Sequence, residues 1–435
     1  MRLNLKEKLK KLEKVDPLRV YGCISKIVGL TIESDGPPSS VGEVLKLEGN
    51  SVNTSLQVIG FNGTKVISMP FGDMKGISQG HLLYSTGEFP KIQMDETFLG
   101  RIINGLGQPL DDKGPLKGKH KINIYEDPVN AMIRRPITEI ITTGIKAIDG
   151  LITLGKGQKI GIYFDSDVGK STLLGMIARN SGADVNIIAM VGERGRELKD
   201  FITNSLGKEG LKRSIVVAAT SDQPPLLKIL SAFTATAVAE YFFDLGKNVL
   251  LIMDSFTKLA IAQKEIGLSA GEPLSTNGYP QSAFIMMPKL LERVGNFSGK
   301  GSITGIYTVL VENGDTSEPI SDYARKNLDG YITLSPNLAH KKHFPSIDVL
   351  GSQSSLLKDL ADAEQNKAAE QLRELLTAYR EAEELINTGA YSKGTNKKID
   401  DAIARIDNIN AFLKQSVNEK VTFEDTLKQL KTVVQ

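Results

Sequence analysis

The segment Lys159-Ile-Gly-Ile-Tyr-Phe-Asp-Ser-Asp-Val-Gly-Lys-Ser-Thr-Leu-Leu174 carries the residues best suited to chemistry. An apolar strand runs into a tight turn, and Gly169-Lys170-Ser171 opens a helix over residues 172–179. In a phosphate-binding loop the turn amides and the helix N-terminus surround phosphate oxygens. A lysine then neutralises the β/γ oxygens, and the next hydroxyl ligates magnesium. Lys170 and Ser171 stand where those tasks need them. Asp165, Ser166, Asp167, Val168 and Gly169, with Thr172 behind them, complete the candidate nucleotide cradle. The pattern requires glycine five residues before Gly169, and Phe164 occupies that place. Taken alone, the motif is incomplete.

Two further segments supply its context. Val249-Leu-Leu-Ile-Met-Asp254 is an apolar strand ending in a carboxylate, which suits the magnesium shell at a strand's C-terminal edge. The plain alternative is a buried strand with a capping Asp. Gly192-Glu193-Arg194-Gly195-Arg196-Glu197 follows another apolar run. Glu193 is suited to polarise an attacking water and Arg194 to hold a γ-phosphate, against the alternative of a charged helix start.

The elements that must position these residues fall into three textures. Between 19 and about 90, the β-branched runs 21–27, 30–33, 43–47, 56–61 and 65–69 alternate with Gly, Pro, Asn and Asp clusters. That spacing predicts a small all-β barrel or sandwich. Between about 91 and 355, strand candidates at 159–163, 185–191, 214–218, 249–253 and 304–311 alternate with helical stretches. This alternation predicts a mainly parallel sheet covered by helices on both faces. From 356 to 435 strand signals cease; 358–386 and 400–413 read as helices, separated by Gly389 and Gly394. Ahead of the barrel, residues 1–18 place leucines at loosely helical spacing among basic residues, either a solvated arm or a docking helix.

Composition narrows the function classes. Lys plus Arg number 53 and Asp plus Glu 51, a net charge of +2, which argues against a general electrostatic grip on nucleic acid. A single cysteine, Cys23, leaves no intrachain disulfide or cysteine metal site and suits a reducing compartment. Apolar runs such as 249–253 fall far short of the ~20 residues that span a bilayer. These features lead us to expect a soluble, intracellular, multidomain protein.

Ordered motifs along the chain add a resemblance. They are Thr143-Gly-Ile-Lys-Ala-Ile-Asp-Gly150, Gly169-Lys-Ser171, Gly192-Glu-Arg-Gly-Arg-Glu197, Met253-Asp-Ser255, Glu265-Ile-Gly-Leu268 with Gly271-Glu-Pro273, and Pro288-Lys-Leu-Leu-Glu-Arg293. Tyr307-Thr-Val-Leu-Val-Glu312, Leu328-Asp-Gly330, Phe344-Pro-Ser-Ile-Asp-Val349 and Ile409-Asn-Ala-Phe-Leu413 follow. From about residue 19 to 435 the chain resembles the export ATPases of bacterial flagella and type III secretion systems, relatives of the catalytic subunit of rotary ATP synthases. The resemblance implies an N-terminal β-barrel, a central RecA-like nucleotide domain and a helical C-terminal domain, assembled as a homohexamer. It implies ATP and Mg2+ as cofactors, with Lys170, Glu193 and Arg194 catalytic, and Ser171 and Asp254 on the metal. Phe344 aligns with the adenine-stacking aromatic; an ordinary core phenylalanine is the alternative. Implied partners are a stalk-like regulatory protein at the N-terminal arm, export chaperones and cargo at the C-terminal domain, and the membrane export gate. The expected location is cytoplasmic, peripheral to the inner membrane, with no nucleic-acid partner.

The chain also departs from that family's pattern. Two glycines of the loop are replaced by Asp165 and Asp167. A carboxylate ~5 Å from a phosphate charge repels it by roughly 3 kcal/mol at an effective dielectric of ~20. Ser355 stands where the family carries an arginine that reaches the neighbouring subunit's nucleotide, a contribution of ~10³–10⁵ in rate in nucleotide hydrolases. Lys258 and Lys264 replace arginines, and Pro336 stands where the family often has arginine. Three readings follow: a working ATPase with impaired turnover, a ring subunit that is structural and weakly active or inactive, and a hexameric RNA translocase. Charge and the C-terminal signatures disfavour the last.

Overall fold

The computed structural model describes residues 19–48, 54–275, 277–299, 301–311 and 317–435. The expected arm at 1–18 and Glu312 of the Tyr307 motif lie outside them. The chain divides into two compact units.

The first unit is built on a closed barrel of β1 (Tyr21–Val28), β2 (Thr31–Asp35), β3 (Val44–Leu47), β4 (Ser55–Asn62), β5 (Lys65–Pro70) and β6 (Leu82–Ser85). The strands close in the order β1-β2-β5-β4-β3-β6, all antiparallel. Alternation puts Ile24, Ile32, Leu45, Leu56, Val58, Val66 and Leu83 in its core. Closure removes the open edges that short strands would otherwise expose. The sequence reading located five of these strands and missed β6, whose Leu82-Leu-Tyr-Ser lacks β-branched residues.

The second unit holds a sheet of β7 (Ile102–Ile103), β8 (Lys159–Phe164), β9 (Val185–Glu193), β10 (Ser214–Thr220), β11 (Asn248–Asp254), β12 (Ser302–Leu310), β13 (Gly330–Leu334) and β14 (Ile347–Ser354). Their order is β14-β13-β8-β12-β11-β9-β10-β7, parallel throughout that path except for β13 with β14. Helices α1 (Lys146–Leu151), α2 (Lys170–Asn180), α3 (Gly195–Asp200), α4 (Pro225–Asp244), α5 (Phe256–Ser269) and α6 (Gln281–Leu291) fall between these strands in sequence. Strands buried on both faces read as continuous apolar runs, which is why they were legible.

Helix α4 corrects the reading of apolar lengths. It is long and apolar enough to cross a membrane, yet 78% of its most apolar window is buried inside the protein. Ser231, Thr234, Thr236 and Glu240 interrupt its apolar run, so no single stretch announced it. Glu240 is itself held by the fully buried Arg293 through two guanidinium bonds.

The C-terminal helices α7 (Ala363–Asn387), α8 (Lys397–Leu413) and α9 (Phe423–Val434) belong to the same unit as the sheet. Gly389 and Gly394 both adopt positive φ between α7 and α8, the break that glycine permits. Helix α9 was not anticipated. The Thr143–Gly150 motif is the seat for this layer. Asp149 accepts from the Thr143 amide and hydroxyl and the Gly144 amide, and burial raises its carboxyl to about 6. A Cβ on Gly150 would stand 3.4 Å from Phe412 and Thr426, so glycine lets α8 and α9 close over α1.

Candidate functional site

The phosphate loop leaves β8 at Phe164 and returns as α2 at Lys170. Gly169 has φ 82° and provides no side-chain cap, so the first-turn amides of α2 are left to an external anion. Asp167 holds φ 59°, a conformation glycine adopts freely and other residues enter at a cost. Its side chain is exposed rather than turned into a sealed pocket. Asp165 is half-buried and takes the Ser166 amide on its own Oδ1 at 2.6 Å. One turn amide is therefore occupied by the loop itself. Val168 is buried, and its carbonyl accepts the Ser346 hydroxyl at 2.6 Å, tying the turn to the chain entering β14.

Three strand ends converge on Lys170. Its Nζ lies 2.7 Å from both Asp254 oxygens and 3.2 Å from Glu193 Oε1. Asp254, at the end of β11, is fully buried and also accepts the Thr308 hydroxyl at 2.7 Å from the neighbouring strand β12. Glu193 is delivered by a bulge: the β9 register shifts between Val191 and Glu193, where Gly192 has φ 73°. A Cβ on Gly192 would meet the Lys258 stem at 3.3 Å, and Lys258 Nζ holds Glu193 Oε2 at 2.6 Å. Burial opposes the charge on Lys170, but the Asp254 and Glu193 carboxylates hold its pKa above the usual lysine value. A hydrogen bond with Glu193 keeps the Glu197 carboxyl low, against burial and aided by Lys258. Phe164 places its ring 4.7 Å from Lys170 Nζ, so the residue that breaks the glycine pattern carries a cation–π contact.

Beside the turn opens a cavity of about 310 Å³ lined by Asp167, Gly169, Thr172, Phe344, Gln415 and Val417 among others. Phe344 is 43% exposed, which rules out an ordinary core role, and its ring lies 3.4 Å from where a Gly169 Cβ would be. Gln415 and Val417 come from the segment after α8. The Gln415 amide N–H donates to Phe344 O, and its side chain accepts from Lys146 N–H and donates to Gly144 O. Sequence reasoning missed both residues; the one signal was a polar glutamine two residues past the end of a predicted helix.

Ser171 and Thr172 lie half-buried in the first turn of α2. Arg194 stands apart from the cluster. Its side chain is 81% exposed and pairs with Glu197 at 3.9 Å. Ser355 is exposed after β14, its hydroxyl donating to Asp329 O, in a groove of about 1030 Å³ that also contains Lys358 and Arg373. Arg373 donates to the carbonyls of Val349 and Leu151 at 2.7 and 3.0 Å, so its guanidinium is committed to the fold.

The same layout recurs in known proteins. Residues 24–87 match the β-barrel domain of the ATP synthase alpha/beta family, 144–354 its nucleotide-binding domain, and 361–432 the C-terminal domain of the T3SS EscN ATPase. The flagellum-specific ATP synthase of Bacillus subtilis (strain 168) is 45% identical over 96% of each chain. The chain belongs to the flagellar and type III secretion ATPase family. Within that family, the type 3 secretion system ATPase of Xanthomonas euvesicatoria is 42% identical over 95% of this chain and 94% of its own. The assembled ATPase EscN from the enteropathogenic E. coli type III secretion system superposes with a TM-score of 0.89 at 39% identity, covering 95% of this chain and all of that one. A second EscN structure, in complex with its central stalk EscO, gives 0.88. The expected architecture of barrel, nucleotide domain and helical C-terminal domain is that of this family. As a family member, the chain is an ATPase of the export class, and the purely structural reading is not favoured.

Proposed function

We propose that this chain hydrolyses ATP as the ring subunit of a flagellar or type III protein-export apparatus, working at the cytoplasmic face of the inner membrane. The observation that carries the reading is the convergence of Lys170, Glu193 and Asp254 at the mouth of a loop whose helix N-terminus has no side-chain cap. The triphosphate is cradled by residues 165–172, with Phe344 against the base. The Ser171 hydroxyl and the Asp254 carboxylate are hard oxygen donors of the kind Mg2+ takes alongside phosphate. The fit is supported by the Lys170 ammonium resting on both Asp254 oxygens, since a carboxylate placed to hold one cation suits another. Bound there, magnesium offsets phosphate charge.

The protein groups then divide the work. Lys170 exchanges its carboxylates for β/γ oxygens, and Glu193, steadied by Lys258, orients the attacking water and accepts its proton. Arg194, exposed in the free chain, turns in toward the γ-phosphate. A ring is supported by the assembled EscN structure, and a stalk partner by the EscN–EscO complex. Export chaperones and cargo would meet the C-terminal domain, and the membrane gate the assembled ring.

Release of inorganic phosphate by the purified chain, with Lys170→Ala as the blank, tests the proposal. Activity equal to that blank, with no uptake of ATP in a titration, sinks it.

A further inference from the structure

A second polar cavity, of about 780 Å³, lies between the short helix Pro336–His340 and helices α7 and α8. It falls within the size range of small-ligand sites. His343 lines it at 5% exposure, and no group among the described residues hydrogen-bonds its ring. Burial, with the Lys414 charge adding to it, pushes the imidazole down to about 4, so the ring is neutral near pH 7. With no protein partner on its ring, the polar edge of this imidazole is left to whatever occupies the cavity.

The charges around it specify what that occupant is. Arg380 is neutralised by Asp348 at 2.8 Å and Lys341 by Glu383 at 2.7 Å. Lys414 lines the same cavity, is exposed, and has no ion pair among the described residues. One uncompensated cation beside one neutral N–H donor matches a monoanion with two acceptor oxygens; a phosphate dianion would be left short of positive charge. We propose that this cavity is a carboxylate-binding site, its oxygens held by the His343 ring and the Lys414 ammonium.

The site backs onto the cavity beside the phosphate loop through two chain neighbours. His343 precedes Phe344, and Lys414 precedes Gln415, whose N–H donates to Phe344 O. A carboxylate drawing His343 and Lys414 together therefore acts on the wall that faces the nucleotide, a consequence that rests on the nucleotide reading above. The carboxylate has two possible sources, a free monocarboxylic acid or a single Glu side chain of a partner protein.

The chain contains four histidines, so selective labelling gives four ring signals, and His343→Gln identifies the one of interest. The full chain is titrated without nucleotide with propionate and, separately, with a blocked peptide carrying a single glutamate, using sodium chloride at equal ionic strength as control. We expect a saturable shift of the His343 signal with at least one probe, none with chloride, and about tenfold weaker binding in Lys414→Met. Saturation by propionate alone assigns the free acid as source; peptide binding at least tenfold tighter assigns the partner protein. No saturable shift with either probe, or an equal shift in Lys414→Met, overturns the site. A fluorescent ATP analogue, titrated with and without the saturating probe, should change affinity at least threefold. Failure of the analogue to bind at all would count against the nucleotide reading and leave the His343 result standing.

Discussion

Lys170 Nζ bridges both carboxylate oxygens of Asp254 at 2.7 Å, across 84 residues of chain. The Asp254 side chain is fully buried and that of Lys170 13% exposed, so neither charge has a solvent substitute. Removing one partner of such a pair leaves an uncompensated charge, a loss of roughly 3–5 kcal/mol, whereas removing both is far milder. Lys170→Met should therefore lower the urea midpoint markedly, and Lys170→Met with Asp254→Asn should recover most of the loss. Both proteins should release no phosphate. Equal stability of the single and double variants would show that the pair is not coupled.

Restoring the loop glycines separates strain from charge. Asp167 holds φ 59°, so Asp167→Gly should stabilise the chain by about 1 kcal/mol, read as a higher melting temperature. Its exposed carboxylate is screened, and the repulsion of nucleotide is closer to 1 than to 3 kcal/mol, or about fivefold in affinity. Asp165→Gly frees the Ser166 amide and should add a similar gain. Calorimetric titration with ATP checks both; unchanged affinity in the double variant would refute the charge argument.

Turnover should respond to position 355. Ser355→Arg places a planar guanidinium on an exposed turn from which no arginine now projects, and the assembled protein should hydrolyse ATP at least tenfold faster. Ser355→Lys should achieve much less. Phosphate-release rates at saturating ATP compare the two, and equal rates would show that the fork geometry is irrelevant there.

Gln415 is the test of the C-terminal layer's part in the site. Its side chain satisfies Lys146 N–H and Gly144 O while its own N–H fixes Phe344 O. Gln415→Ala orphans buried backbone groups and should cost about 2 kcal/mol of stability, with weaker nucleotide binding. Phe344→Ala should weaken nucleotide about tenfold through lost stacking, with little change in the melting temperature because the ring is 43% exposed. Identical effects of the two variants on stability would undo that distinction.

What could be read from the chain, and what could not, follows from range. The strands β8, β9 and β11 are largely apolar runs; β8 leads into the loop, and β9 and β11 end in the carboxylates Glu193 and Asp254, so the candidate site was visible as a set. Phe164 looked like a defect because a pattern records glycines and not the cation–π contact that a ring makes with Lys170. The mutual neutralisation of Lys170, Asp254, Glu193 and Lys258 depends on strand order, which periodicity does not encode. Gln415 meets partners 269 and 271 residues away, a contact set by how α8 packs on α1. Arg194 carries a role by motif, yet its side chain is exposed and pairs with Glu197 on its own helix. Helix α9 is short, and its apolar spacing, with Leu430 buried on one face, is a weak signal in a stretch rich in Lys, Thr and Gln.

Acidification should expose His343. Its folded pKa of about 4 lies below the unfolded value near 6.5, so between these limits the unfolded chain binds the extra proton. The contribution is fully present above pH 6.5 and is lost as pH falls toward 4, amounting to roughly 2–3 kcal/mol by pH 4.5. Asp149 works the other way: its folded pKa of about 6 exceeds the unfolded value, so its ionisation weakens the fold as pH rises through that range. Comparing wild type with His343→Gln cancels Asp149, which both proteins share. In carboxylate-free buffer, the stability of wild type relative to the variant should fall by that amount between pH 7 and pH 4.5, read from urea midpoints. A difference that stays constant with pH would show that the imidazole is protonated equally in the folded and unfolded chains, and that burial does not hold it neutral.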